Sequence, residues 1–598
     1  MTHIRNFVLT MIVLVAACAA GSGSTSGFRI IQLSAGGRIR IEAAKAGNYR
    51  MEIDDAPGFR TPLWTRSFHG KSLEFDADGP GMVPGSLYYI RLNGSAAQTL
   101  RLSQPEAADL RAECGTLRAS WETVGRAMLE DRSAVQWNSE SMHWEASAGK
   151  KPEGQWLYYT ELYLRSAVEA AEACDDRKLY DEVADYYLVM LQQTVPFAVT
   201  QGWYGRPADF KLDMNWAAKQ EDAAARTFPA GSQTGDLELG DVQWLYAAAK
   251  LLRLVSVRAP GERSAVLRRF AEQYTNFIVE EQVLRYLTRP LRPAPGGGAD
   301  VSRLRVWELT LRGLKGKRAW DTAMSDVDLW LLASSAEMLG AHANDPTLVP
   351  LSDQQVAQLR AALDVGVRLF RSKRTLYPET TNLGGQRVGS ASYFNGDFDG
   401  YPDFDYSAVG GGDVPTKDRQ QAAPGLSWDI SHAYRIPVFL RALYDNRKAT
   451  GVDFPRREEL RLVTNQYVYR VFNGDFSRPL FRNFLDGHDT WFRVGLNGPD
   501  FGYPPSQFCD MRSANRWCMA PCDIVGWGLL AFVNPDVAKL ERTLVQLAFA
   551  EDADAREFRN RHYSYRNSFE VVHPDGRTAY GDSLFFVIAD NAWLLKTR

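Results

Sequence analysis

The spacing of apolar residues changes near residue 103. From 28 to about 103 they alternate in short runs, at 28–33, 38–43, 49–54, 71–76, 88–93 and 98–102, which predicts half-buried strands. Turn-forming stretches separate these runs: Ala35-Gly36-Gly37, Pro57-Gly58 and Asp78-Gly79-Pro80-Gly81. Beyond about residue 105 the repeat becomes helical. It predicts helices over 105–128, 155–173, 178–193, 236–257, 262–287, 326–341, 353–371, 429–446, 456–471, 523–533, 536–550 and 582–596. Most fall into pairs joined by short connections such as Cys174-Asp175-Asp176-Arg177, Arg258-Ala259-Pro260-Gly261 and Asn534-Pro535.

Loop lengths carry more information than the helix count. The connections between pairs run 194–235, 288–325, 372–428, 472–522 and 551–581. Structureless stretches of that length are uncommon in compact domains unless they carry function. About twelve helices in about six antiparallel pairs predict a mainly α fold, an (α/α)6 toroid. In such a ring alternate connections lie on one rim. The long segments, and the helix N-termini they lead into, would therefore share the active-site face. The preceding residues 28–103 predict a small all-β sandwich that resembles a fibronectin type III or immunoglobulin-like module. The helical domain would occupy 104–598.

A degenerate repeat supports the ring. Asp241, Asp326, Asp429, Asp523 and Asp582 each stand where an apolar helical run opens, with Trp244, Trp330, Trp428, Trp527 or Phe586 close by. An aspartate there caps free N–H groups and meets the positive end of the helix dipole, which alone explains Asp326, Asp523 and Asp582.

Composition narrows the class. A formal net charge of −3 gives no basic field for nucleic acid. No Gly-rich phosphate loop and no dinucleotide fingerprint appear. The 16 Trp and 25 Tyr suit either sugar stacking or plain burial of rings. At the start, Arg5 precedes an apolar stretch over 7–17 that is too short to span a bilayer. It ends in Val15-Ala16-Ala17-Cys18, which resembles a bacterial lipobox. Residues 1–18 would then be a lipoprotein signal with Cys18 lipidated, and 19–27 a flexible tether. That predicts a lipid-anchored protein of the cell envelope; cleavage without lipidation would release it instead. Cys509, Cys518 and Cys522 crowd one loop, where a disulfide is expected and zinc is the alternative.

Three stretches carry candidate chemistry. Pro152-Glu153-Gly154-Gln155-Trp156 opens the first pair, and Thr234-Gly235-Asp236-Leu237-Glu238 the second. Trp428-Asp429-Ile430-Ser431-His432-Ala433-Tyr434-Arg435 opens the fourth. His432 lies three residues after Asp429, so both face one side of the first turn, with Arg435 a turn further. An Asp, a His and an Arg at the mouth of a cleft can hold a water, orient a sugar or tune a carboxylate.

Together these stretches resemble the family 8 glycoside hydrolases, whose fold is an (α/α)6 barrel. The resemblance implies that Glu153 is a general acid and Asp429 the base that activates water. It further implies that Asp236 and Glu238 bind sugar. Here Trp428 stands where the family has Tyr, His432 where it has Arg, and Arg435 comes a turn late. The likeness spans about thirty residues of the helical domain, and no cofactor is needed for this chemistry.

Further rim candidates for substrate contact are Asp328, Tyr401, His488 and Trp491. The loop from Asp397 to Asp405 alternates aspartates with aromatics and suits calcium or sugar subsites, though it lacks the terminal bidentate Glu of an EF-hand. Tyr563 with His562 or His488, and Arg493 against a carboxylate, would suit a different reaction: proton abstraction from a uronate by a polysaccharide lyase or epimerase. A glycan-binding protein without catalysis, acting in exopolysaccharide assembly, is the reading from another class.

Overall fold

The computed structural model describes residues 28–32, 38–54, 62, 64–76, 87–101, 114–115, 117–132, 135–147, 156–193, 234–288, 292–293, 300–315, 324–381, 387–396, 425–493, 502–510, 518, 525–550, 552–563, 570–572 and 578–580. Two compact units divide the chain, the first comprising residues 1–80 and 87–102 and the second 81–86 and 103–598.

Strands β1 (Phe28–Gln32), β2 (Arg38–Asp54), β3 (Trp64–Asp76), β4 (Leu87–Leu92) and β5 (Gln98–Arg101) build the first unit. All neighbouring pairs are antiparallel, in the order β1-β2-β4-β5 with β3 on the other edge of β2. Ile39, Ile41, Met51 and Ile53 are fully buried along β2, as alternation requires. The runs predicted at 38–43 and 49–54 are one strand. A register shift between Glu42 and Gly47 absorbs the alanine-rich stretch that breaks the pattern in sequence. Among the described residues, the strands form a single five-stranded sheet, where two facing sheets were expected.

The second unit is mainly helical. It opens with helix α1 (Arg126–Arg132) and the hairpin β6 (Val135–Asn138) and β7 (His143–Ala146). Helices α2 (Trp156–Cys174), α3 (Arg177–Gln193), α4 (Thr234–Ser256) and α5 (Ala265–Asn276) follow. Then come α6 (Arg303–Leu311), α7 (Asp326–Asn344), α8 (Asp353–Ser372) and the hairpin β8 (Arg374–Thr381) and β9 (Arg387–Phe394). Short α9 (Ile430–Ala433) leads into α10 (Arg435–Thr450), and α11 (Arg457–Gln466), α12 (Pro535–Phe549) and α13 (Ala553–His562) follow. Helix α4 begins at Thr234, well before Asp241, and the helix expected over 523–533 is a 3₁₀ segment, Trp527–Val533. The last helix expected, 582–596, lies outside the described residues. Among the described residues, several of the long connections hold structure of their own: α6, the β8–β9 hairpin, α13 and a 3₁₀ turn at Ser506–Phe508.

Helices α2, α4, α7 and α10 pack side by side in that order, and their polar contacts show that they run parallel. Near their starts, Tyr434 Oη lies 3.4 Å from Glu161 Oε2, Arg435 Nη2 is 3.2 Å from Gln243 Oε1, and Arg435 Nε is 3.6 Å from Asp326 Oδ2. Near their ends, Arg253 lies 3.3 Å from Glu172 and 2.7 Å from Glu337, whose carboxylate also accepts from Asn446 at 2.8 Å. The N-termini of four helices therefore gather at one end of the bundle. Helices approach closely at Gly340, where an added Cβ would fall 1.8 Å from Asn446 Oδ1. These inner faces bury charge: Glu161, Arg165 and Glu169 sit four residues apart on α2, with Arg165 paired to both carboxylates and Lys250 of α4 3.5 Å from Glu169. Burial pushes the Glu161 and Glu337 carboxyls up, against the pull of neighbouring arginines.

Disulfides join Cys114 to Cys174 and Cys509 to Cys518. The second falls in the loop where a bridge was expected; the first links residues far apart in sequence. Cys522 and Cys18 lie outside the described residues. Among the described residues, no helix is long and apolar enough to cross a membrane.

Candidate functional site

The approach to α9 is held by an antiparallel contact between 427–430 and 483–486. Ile430 N donates to Asn483 O at 2.8 Å, and Leu485 N to Trp428 O at 2.8 Å. Ser427 and Asp486 exchange two bonds, Ser427 N to Asp486 Oδ2 at 3.0 Å and Asp486 N to Ser427 Oγ at 2.7 Å. This clip fixes where Asp429 and the loop after it stand.

Asp429 caps α9. It is buried, and its carboxylate accepts from His432 N at 3.2 Å, from Ser431 Oγ at 2.5 Å and from the His432 ring, with Nδ1 2.8 Å from Oδ2. Three residues of separation across a first helical turn put the imidazole over the carboxylate. Burial pushes this carboxyl up, but the His432 imidazole, the Arg493 guanidinium and the Ser431 hydroxyl bring it down to about 2. An ionised Asp429 accepting from Nδ1 fixes the ring's orientation and turns Nε2 away from the carboxylate. The His432 side chain is 21% exposed against 3% for Asp429, so the imidazole is the part that meets solvent.

Arg493 completes the group, with Nη2 3.5 Å from His432 Nε2. It adopts a left-handed backbone at φ 52°, uncommon for a residue with a side chain and frequent at functional sites. Its loop is anchored by Asn483, whose amide donates to Thr490 O, Tyr503 O and Pro504 O at 2.8, 3.1 and 2.9 Å. Asp489 fastens the same loop by accepting from Ser506 N and Oγ.

The other sequence candidates divide clearly. Trp428 and Trp491 are buried, so their rings face protein, which corrects the expectation that they contact sugar. Arg435 is buried too, held by Gln243, Asp326 and the Tyr434 ring beneath the site. Asp328 accepts from Ser325 N at 2.7 Å and pairs with buried Arg303; it closes the capping box of α7 behind the N-cap Ser325, so its carboxylate is engaged within the protein. Tyr563 is buried with its hydroxyl donating to Pro479 O, and burial pushes that phenol well above its ordinary range, which removes it as a base. His562 is buried against Phe558. His488 stays open, its side chain 64% exposed and Nδ1 3.0 Å from Asp486 Oδ1. Asp236 and Glu238 belong to the first turns of α4, at the bundle end that also holds Asp429; their side chains lie outside the described set. Glu153, Tyr401 and the Asp397–Asp405 loop are outside it as well.

The structure adds Ser431 and the buried Glu161 and Gln243 to the sequence-derived set. Glu161 had a legible signal, since Glu161, Arg165 and Glu169 interrupt an otherwise apolar helix at four-residue spacing. Among the described residues, no cluster of three or more His, Cys, Asp or Glu could hold a metal ion. Compared with known proteins, the chain matches no family model, no curated protein and no solved structure.

The low Asp429 value has a consequence for stability. A carboxyl held at about 2, against an ordinary 3.8, stabilises the fold fully above about pH 4, and this is lost as pH falls through about 2. The difference amounts to about 2 kcal/mol. In urea titrations between about pH 5 and pH 2, wild type is expected to lose that much more stability than Asp429→Asn. Equal losses would show that nothing holds the carboxylate ionised.

Proposed function

We propose that this chain is a carbohydrate-active enzyme of the bacterial envelope, anchored through Cys18, that removes a proton from an acidic polysaccharide. His432 is the base, Asp429 orients it, and Arg493 binds the carboxylate of a uronate unit. The observation that carries this reading is the position of the Arg493 guanidinium, 3.5 Å from the one imidazole nitrogen that Asp429 leaves free. A proton beside a carboxylate becomes removable once the developing negative charge is stabilised, and one such donor contributes about 10²–10³-fold in rate. Elimination or epimerisation of a uronate uses a base and a carboxylate-binding cation, the roles this pair can fill. The parallel N-termini of α2, α4, α7 and α10 support a closed (α/α) ring with the site on its rim.

Hydrolysis is the second reading. It is favoured by the helix that Glu153-Gly154-Gln155 precedes in sequence, because α2 begins at the bundle end where His432 stands. In that case His432, rather than the enclosed Asp429, activates the water, and Glu153 protonates the leaving oxygen. The test is a panel of acidic and neutral polysaccharides scored for ultraviolet-absorbing unsaturated ends and for new reducing ends. Unsaturated ends from uronate polymers are expected. Reducing ends without unsaturation would favour hydrolysis, and neither product from any polymer would leave a glycan-binding role.

A further inference from the structure

A second carboxylate–imidazole pair stands beside the first. Asp486 bonds to Ser427 through both its backbone N–H and its carboxylate. Ser427 precedes Asp429 by two residues, a reach of at most about 7 Å. Asp486, like Asp429, is buried, and its Oδ1 lies 3.0 Å from His488 Nδ1 while also accepting from His488 N at 2.8 Å. Both imidazoles are thus held through Nδ1, each by a buried carboxylate, which leaves Nε2 as the ring nitrogen turned away from that carboxylate.

The turn that sets His488 is specified by the backbone. Gly487 N donates to Phe484 O at 3.0 Å, and Phe484 N to His488 O at 3.2 Å. Gly487 has φ 94°, and a Cβ there would fall 3.0 Å from Arg470 O. Five residues further, the same loop delivers Arg493 to His432. One clipped loop therefore positions an exposed imidazole, a guanidinium and the partner of a second imidazole.

We infer that His488 is the general acid of the reaction whose base is His432. The inference rests on the elimination reading above and adds the group that protonates the leaving oxygen. His432 Nε2 takes the C5 proton of the uronate. The C–H electron pair becomes the C4–C5 double bond, and the C4–O bond breaks. The departing oxygen takes the proton from His488 Nε2. His432 ends protonated and His488 neutral, and exchange with solvent restores both. The side chain of His488, mostly open to solvent, suits a group that must reload after each turnover.

The test separates the acid from the base by the leaving group. A uronate polymer leaves as an alkoxide that needs a proton, whereas fluoride at C4 of a uronide leaves without one. For His488→Gln, the ratio of polymer turnover to C4-fluoride turnover is expected to fall about 10²-fold relative to wild type. His432→Gln is expected to lose both. Asp486→Asn, which keeps the imidazole but removes its anchor, should shift the ratio the same way by less. An unchanged ratio in His488→Gln would overturn the role of His488 while leaving the base intact. A wild-type protein that turns over neither substrate would overturn the elimination reading, and the acid with it.

Discussion

Replacing His432 by Gln is expected to lower kcat on a uronate polymer by about 10³-fold with KM changed only a few-fold. Loss of a positioned general base costs between about 10²- and 10⁴-fold. The base makes its contribution in the transition state, so the deficit falls on kcat rather than on binding. Asp429→Asn is expected to fall in the same direction, because an amide beside Nδ1 no longer fixes which ring nitrogen carries the proton. The two variants should differ in stability. His432 is partly exposed, whereas Asp429 caps a helix start and bonds two further groups. Removing a cap and a buried acceptor costs about 1–2 kcal/mol, so Asp429→Asn should unfold at lower urea and His432→Gln near wild type. Steady-state kinetics with urea midpoints on the same samples check both statements. A fully active His432→Gln would dismiss the imidazole as base.

The second large effect is on stability and comes from the disulfide between Cys114 and Cys174. It closes a segment of 60 residues, holding the start of the helical unit to the end of α2. Closing a loop of that length restricts the unfolded chain by about 4 kcal/mol in the chain-entropy description. The Cys114→Ser, Cys174→Ser double variant is expected to lose that order of stability in urea unfolding under oxidising conditions. Arg118, Arg126 and Trp121 also bond Glu182 across the same region, so the segment should stay docked in the native state. A loss below about 1 kcal/mol would show that these contacts, rather than the bridge, hold the two ends together.

Helical periodicity and short hairpin connections made most of the α-helical order legible in the sequence, because amphipathic helices announce themselves at three- and four-residue spacing. Alternation predicts two runs, 38–43 and 49–54, where one strand β2 stands, and only the register of β3 shows that a bulge carries the strand through. At the site, Asp429 and His432 were readable as neighbours because one helical turn joins them. Which of the two meets solvent was not readable, since that depends on the clip to 483–486. The sequence joins Arg493 to no motif around His432; its approach to that residue spans 61 positions and depends on a left-handed residue in an irregular loop. Trp428 and Trp491 illustrate the opposite limit. An aromatic side chain carries the same sequence signal whether it stacks a sugar or fills a core, and burial alone decides.

The most direct measurement follows the hydrogen at C5 of the uronate. A polymer labelled with deuterium at that carbon is incubated with wild-type protein and with His432→Gln, and the label is traced in the products. Abstraction by His432 requires that each converted unit lose its label in the wild-type reaction, with a primary isotope effect where that step limits the rate, and that the variant release almost none. Cleaved products that keep their C5 label would contradict proton removal as the chemistry of this site.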